Sequence, residues 1–302
     1  MTTLSERACA KLNLTLDVLS KRPDGYHDLR SVMQTVSLCD DVEMDLGIEE
    51  ESSLHCFREL RRINDEGETE ILLDTDGLPQ DDENLAWKAV SAFYDRTGIP
   101  AENFELFISK RIPSGAGLGG GSADAAAVLR MLNRHYGSPL SVAELCALGA
   151  EIGSDVPFCV LGGTALAEGR GEQLTPLNAV KGLCFVICKP EVSLSTAELY
   201  HRLDDCAIAS RPDHAWLLDA LDRQDLPSAG SCLCNVFTHV ASKNHPEITE
   251  IIDKLLACGA CGAEMTGSGS AVFGLFPGRE QADAACETLK KTYSQVWTAV
   301  SV

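Results

Sequence analysis

Pro113-Ser-Gly-Ala-Gly-Leu-Gly-Gly-Gly-Ser-Ala-Asp-Ala125 places five glycines between residues 115 and 121, after a proline and ahead of an alanine-rich run. Glycine adopts φ > 0 without steric cost and lets another group approach the backbone. Successive N–H groups in such a run can turn inward as an anion nest. A helix that follows adds its unpaired N–H groups and the positive end of its dipole. A tight turn needs fewer glycines, so the stretch predicts a phosphate cradle opening a helix over 122–136, with Gly137 as the stop.

Working outward, residues 104–109 read as a strand that leads through Lys110 and Arg111 into the glycines. Residues 84–94 have helical periodicity, with Leu85, Ala89, Ala92 and Phe93 inward and Gly98 and Pro100 ending the helix. Residues 9–19 alternate apolar and polar side chains as a half-buried strand, with Lys11, Asn13 and Thr15 on one face. A Pro-Asp-Gly turn follows and ends in Tyr26 and His27. Strands are expected over 29–36 and 42–46. Residues 49–82 read as a charged, solvent-facing hairpin or insertion, with a solvated charge run at 58–62 and a strand over 70–73.

On the other side, Ser141 and Glu144 form a capping box for a helix to Gly153. Asp155 then stands in a turn before Pro157. Residues 164–166 and the turn at 168–172 suggest a hairpin, and the domain boundary is placed here: 1–165 as one domain and 166–302 as a second. In the second domain strands are expected over 183–188, 263–265, 271–276 and 296–300. Helices are expected over 195–203, 213–222, 235–242, 247–257 and 279–292. A second glycine loop, Thr266-Gly-Ser-Gly-Ser270, joins two of the strands.

The 302 residues carry a net charge of −20, which argues against nucleic acid or an anionic membrane as partner. A phosphate ligand must then rely on local groups. The first 20 residues include Glu6, Arg7, Lys11 and Asp17 and lack the apolar core of a signal peptide, and no stretch has the length of a membrane helix. The expectation is a cytoplasmic protein whose 13 cysteines are reduced and serve mostly as small core residues. Cys258 and Cys261 form a CxxC, but in a Gly/Ala run where any small residue fits, so no metal or redox site is assigned.

Gly115 to Gly120 satisfies G-x-G-x-x-G, yet it does not open a first βαβ unit and lacks the acidic residue about 20 residues on that a dinucleotide fold requires. Walker A ends in Gly-Lys-Ser/Thr, whereas Gly121 is followed by Ser122 and Ala123. The His-Arg-Asp and Asp-Phe-Gly partners of a protein-kinase loop do not occur. What remains is similar to the central motif of the GHMP kinases, named for galactokinase, homoserine, mevalonate and phosphomevalonate kinases. Two further motifs stand in that family's order: the lysine-bearing strand at Ala10-Lys-Leu-Asn-Leu14 and the C-terminal Met265-Thr-Gly-Ser-Gly-Ser-Ala-Val-Phe273. The resemblance implies an α+β, two-domain GHMP kinase fold, with a ribosomal protein S5 domain 2-like N-terminal domain and a ferredoxin-like C-terminal domain.

Arg22-Pro-Asp-Gly-Tyr-His27 and Gly153-Ser-Asp-Val-Pro-Phe158 narrow the resemblance to the branch acting on a cytidine diphosphate-linked methylerythritol in the non-mevalonate isoprenoid pathway. It implies ATP-dependent phosphorylation of that substrate's 2-hydroxyl, with Lys11 and Asp155 catalytic. For ATP it implies Asn84, Lys110 and the run Pro113, Ser114, Gly115, Ala116, Gly117, Leu118, Gly119, Gly120, Gly121, Ser122 and Ala123. For the substrate it implies Asn13, Tyr26, His27, Tyr200, Gly267, Ser268 and Gly269, with Tyr26 and Tyr200 sandwiching the cytosine and His27 bonding its edge. Mg2+ arrives with ATP, and no dedicated metal ligand is assigned. The expected assembly is a monomer or weak homodimer. Alternatives are another GHMP small-molecule kinase, of the homoserine or mevalonate type, and a nucleotide-binding protein without catalysis. Asp24 to His27 speaks against the first and the pair Lys11 and Asp155 against the second.

Overall fold

The structure, a computed structural model, describes every residue except 64–68, 179, 207 and 209, and of 61–63 and 69 only the backbone. The 64–68 part of the charged insertion and the side chains of Arg61 and Arg62 therefore lie outside the described residues.

The chain begins with two 20-residue strands, β1 (Thr2–Lys21) and β2 (His27–Leu46), and a hairpin, β3 (Ser53–Ile63) and β4 (Thr69–Asp74). Then come α1 (Leu85–Thr97), β5 (Phe104–Ser109), α2 (Gly120–His135), α3 (Val142–Ile152) and α4 (Val156–Leu161). A second hairpin, β6 (Thr164–Gly169) and β7 (Gln173–Pro176), leads to β8 (Cys184–Lys189). The helices α5 (Thr196–Asp204), α6 (His214–Asp222) and α7 (Leu226–Ser231) precede the short β9 (Cys234–Asn235) and α8 (Val236–Ser242). The chain closes with α9 (Pro246–Ala257), β10 (Gly262–Met265), β11 (Val272–Phe276), α10 (Arg279–Leu289) and β12 (Gln295–Val300).

Two compact units emerge, and neither is a continuous piece of chain: unit 1 is Met1–Cys9, Cys39–Ile112 and Gly120–Leu161, and unit 2 is Ala10–Leu38, Pro113–Gly119 and Gly162–Val302. In unit 1, β4 is antiparallel to β3, β3 parallel to β5, and β5 antiparallel to residues 41–46 of β2. The helix α1 is capped by Asn84 and buries Ala89, Val90 and Phe93, while α2 buries an alanine-rich face with Val128, Leu129 and Leu132. In unit 2, β8, β10, β11 and β12 form an antiparallel sheet of order β10-β11-β8-β12. With α9 and α10 this is the split β-α-β-β-α-β pattern of ferredoxin-like folds. Its core unites Val186 and Cys188, Phe237, Ile251, Leu255, Phe276 and Ala285. The fold is α+β.

Three features depart from the sequence reading. Residues 29–36 and 42–46 are one strand, because the polar residues between them are engaged: Asp40 is fully buried and serves a charged cluster described below. The turn at 154–158 becomes the start of α4, since a proline at the first helical turn costs no hydrogen bond. Cys9 and Cys39, facing each other on neighbouring strands, are joined as a disulfide, which corrects the expectation of reduced cysteines at those two positions. Cys258 and Cys261 of the CxxC are free thiols. Burial pushes Cys56 up to about 11 and Cys188 to about 12, as expected of unreactive core thiols.

Candidate active site

In unit 2 the glycine loop is held by its carbonyls. Leu118 O accepts the Lys11 N–H at 3.0 Å, Ala116 O the Ala271 N–H at 3.2 Å, and Gly117 O the Thr266 hydroxyl at 3.4 Å. Among the described residues, the backbone N–H groups of Ser114 to Gly119 donate no well-formed hydrogen bond to a backbone carbonyl, residues 114 and 115 forming a loose turn. A loop whose oxygens are engaged in this way can turn its amides inward as an anion nest. The two glycine loops interlock: a Cβ on Gly117, at φ +75°, would stand 2.2 Å from Thr266 O. Gly115, at φ +61°, would meet nothing within 4 Å. Gly117 is therefore required by packing and Gly115 lines open space. The run passes directly into α2, whose first turn, with Gly120, Gly121, Ser122 and Ala123, belongs to unit 1. The unit 2 part of the run, residues 113–119, fits the phosphates of a nucleotide.

Lys11 and Asn13 lie on the buried stretch of β1. The Lys11 ammonium donates to Asn13 Oδ1 at 2.7 Å, and Asn13 Nδ2 donates to Ser31 Oγ at 2.8 Å. The Asn13 N–H donates to Thr266 Oγ1 at 3.0 Å, and Ser31 Oγ donates to Thr15 O at 2.6 Å. Thr15 Oγ1 in turn meets His214 Nδ1 at 2.9 Å, and burial lowers the His214 pKa. Asn235 Nδ2 bonds Met265 O and Gly267 O, both at 2.8 Å, and the Ser268 hydroxyl meets that of Thr196 at 2.8 Å. Lys11, Asn13 and the loops at 113–119 and 266–270 are thus one network.

The aromatic end is also in unit 2. The Asp24 carboxylate accepts the Tyr26 N–H at 3.1 Å, which holds its pKa below the usual range. Tyr26 is 57% exposed, with the Arg170 guanidinium 5.3 Å from its ring centroid. His27 is buried and stacks on Tyr200, centroids 4.6 Å apart. The structure thus joins His27 to Tyr200 and sets Arg170 over Tyr26.

Unit 1 holds the remaining candidates. Asp155 immediately precedes α4, its carbonyl accepting the Cys159 N–H at 3.1 Å. Asn84 caps α1: Oδ1 accepts the Ala86 N–H at 2.9 Å and Nδ2 donates to Pro79 O at 3.0 Å. Lys110 is enclosed, its ammonium 2.5 Å from both Asp40 Oδ2 and Asp124 Oδ2. Asp40 Oδ1 also accepts the Arg111 and Ile112 N–H groups, fixing the chain as it leaves β5 for the glycines. One ammonium cannot neutralise two buried carboxylates. Burial, with Asp40 beside it, outweighs Lys110 and pushes Asp124 up to about 7, and its Oδ1 makes no hydrogen bond.

Several of these partners escaped the sequence reading: Ser31, His214, Asp40 and Asp124. Asp124 alone left a trace, a carboxylate within the alanines of a buried helical face. The others meet their partners across long sequence separations that no local pattern encodes.

Residues 84–163 match the description "GHMP kinases N terminal domain" and residues 217–295 "GHMP kinases C terminal". The chain belongs to the GHMP kinase family, small-molecule kinases with ATP as phosphoryl donor. Within it, the chain is 42% identical to a 4-diphosphocytidyl-2-C-methyl-D-erythritol kinase of Caldicellulosiruptor saccharolyticus, over 94% of this chain and 92% of that protein. It is also 42% identical to the kinase of that name from Alkaliphilus oremlandii, over 95% of this chain and 92% of that one. A solved structure of 4-(cytidine 5'-diphospho)-2C-methyl-D-erythritol kinase aligns with a TM-score of 0.79 and 32% identity, covering 99% of this chain and 100% of that one.

Proposed function

We propose that the protein transfers a phosphoryl group from ATP to the 2-hydroxyl of 4-diphosphocytidyl-2-C-methyl-D-erythritol, in the non-mevalonate route to isoprenoid precursors. The observation that carries this reading is the similarity, at about 40% identity and over nearly the whole chain, to several kinases of that name. Residues 1–165 form the ATP-binding part and 166–302 the second domain.

Phosphoryl transfer asks the protein mainly for positioning and charge stabilisation. The amides of 113–119 and the first turn of α2 to Ala123 receive the ATP phosphates. Asn84 and Lys110 stand on the adenosine side. Lys110, held by two carboxylates, contributes by anchoring the start of the loop rather than by free charge. Asp155 takes the proton of the acceptor hydroxyl, and Lys11, oriented by Asn13, stabilises the charge that develops there. Tyr26 offers an exposed face to cytosine, a stack worth about 1–3 kcal/mol, while Tyr200, its own ring already stacked on His27, acts on the base through that imidazole instead of as a second face. His27 meets the base edge, and Gly267, Ser268 and Gly269 line the acceptor. Mg2+ enters on the nucleotide, as the family resemblance implies. The enzyme works in the cytoplasm as a monomer or weak homodimer. No described helix is long and apolar enough to cross a membrane.

The test is ATP-dependent phosphorylation of the cytidylyl substrate beside methylerythritol lacking the cytidylyl group, homoserine and mevalonate. Turnover of the first alone is expected. Preference for another alcohol, or tight ATP binding with no turnover, would overturn the reading.

A further inference from the structure

The helix α5 carries Tyr200 and Asp204 four residues apart, so both side chains leave one face. They grip the same imidazole. Tyr200 lies nearly flat on the His27 ring, the planes 20° apart, and Asp204 Oδ1 stands 2.8 Å from His27 Nε2. Lys21 holds the other carboxylate oxygen, Oδ2, at 2.6 Å. These bonds, Lys21's first, keep the Asp204 carboxyl below the usual range. Behind Tyr200 the Phe237 ring meets it edge-on, centroids 4.9 Å apart. The grip on the imidazole is itself packed in place.

A neutral imidazole has one N–H and one lone pair, and the partner of one nitrogen decides the state of the other. An ionised carboxylate only accepts. Facing Asp204, Nε2 must carry the proton, and Nδ1 is left as the acceptor. We propose that Asp204 is a positioning residue that fixes His27 as an acceptor at Nδ1, so that the site selects a base bearing an exocyclic amino group over one bearing a carbonyl. Cytosine offers an N–H donor at that edge. Uracil would set its carbonyl oxygen against the Nδ1 lone pair, and an unpaired polar contact of this kind discriminates strongly. The inference rests on the cytidylyl reading given above and deepens it.

The experiment compares wild type with Asp204→Asn and Asp204→Glu at about pH 8, where imidazole is neutral. The Asn amide can donate to Nε2 and drive the proton to Nδ1, whereas Glu keeps an acceptor. Nitrogen NMR shifts of the His27 ring report the tautomer, and competition between cytidine diphosphate and uridine diphosphate reports base preference. Wild type is expected as the Nε2–H tautomer with preference for the cytidine nucleotide. Asp204→Asn is expected to shift towards Nδ1–H and lose about tenfold of that preference, the scale of one hydrogen bond. Asp204→Glu is expected to restore both. An Nδ1–H tautomer in wild type, or an unchanged nucleotide preference in Asp204→Asn, would overturn the proposal. Should Asp204→Asn fail to fold, an unchanged preference in Asp204→Ala would do the same. Failure of the underlying function shows itself separately, as wild type that neither binds cytidine diphosphate nor turns over the cytidylyl substrate.

Discussion

Lys11 and Lys110 are the two buried lysines among the described residues, one in each unit, each near a glycine of a functional loop. A Cβ on Gly267 would stand 3.3 Å from Lys11 Nζ, and one on Gly120 would stand 3.4 Å from Lys110 Nζ. Their partners differ. Lys110 sits between two carboxylates, which raise its pKa against the opposing pull of burial. Among the partners of Lys11 is Asn13, a neutral amide whose Oδ1 accepts from the ammonium. A cation enclosed by its own counter-ions offers little field to a ligand, but it ties β5, β2 and α2 together where the glycine run departs. On the function proposed above, the same residue type is a structural rivet in one place and a reagent in the other.

The comparison predicts opposite signatures. Lys11→Ala should cut kcat by about 10²–10⁴-fold, the range of positioned charge and acid–base groups, with a small change in melting temperature. Asp155→Asn should behave alike. Steady-state phosphorylation and thermal unfolding on the same preparations check this, and near-normal turnover in either variant would remove the catalytic assignment.

Lys110→Met should instead cost about 3–5 kcal/mol of stability in urea unfolding, because it strands two buried carboxylates. Adding Asp40→Asn and Asp124→Asn should recover much of that loss. Failure to recover would mean that the lysine's packing, and not its charge, carries the effect.

A smaller effect is expected from pH. Asp124 is held near 7 in the fold, above its ordinary value, so the folded state binds this proton more tightly than the unfolded chain does. Its contribution is fully present below about pH 4 and is lost as pH rises towards about 7. Asp124→Asn should flatten that part of the stability profile, measured by denaturant unfolding across the window. The smallest effect belongs to Gly120→Ala. The new methyl would stand 3.0 Å from Ile112 Cγ2, 3.3 Å from its Cβ and 3.4 Å from Lys110 Nζ, a crowding that alanine's better helix propensity offsets only in part, so the change should cost about 1–2 kcal/mol.

Much of this architecture was legible locally. The glycine run, the capping box at Ser141 and Glu144 and the Asn84 helix start are short-range patterns, and the structure contains each of them; β1 is a strand as expected, but residues 10–18 are buried on both faces instead of one, because Lys11, Asn13 and Thr15 find polar partners inside. What was not legible involves partners far apart in the chain. Asp40 and Lys110 lie 70 residues apart, and Asn13 and Thr266 lie 253 apart. The interleaving of the two units, with 113–119 assigned away from the residues on either side, follows from the same long-range pairing.

By itself the sequence determined the α+β class, the positions of most elements, the phosphate cradle and the family, because periodicity, glycine chemistry and ordered motifs are properties of neighbouring residues. Only the tertiary structure decided what each polar group does with its partners. It showed that the carbonyls of Ala116, Gly117 and Leu118 are taken by donors from β1 and the second glycine loop. It also showed that Lys110 is enclosed and that His27 is gripped by Tyr200 and Asp204. Burial, charge pairing and tautomer are set by what surrounds a side chain in space, and no spacing along the chain records that.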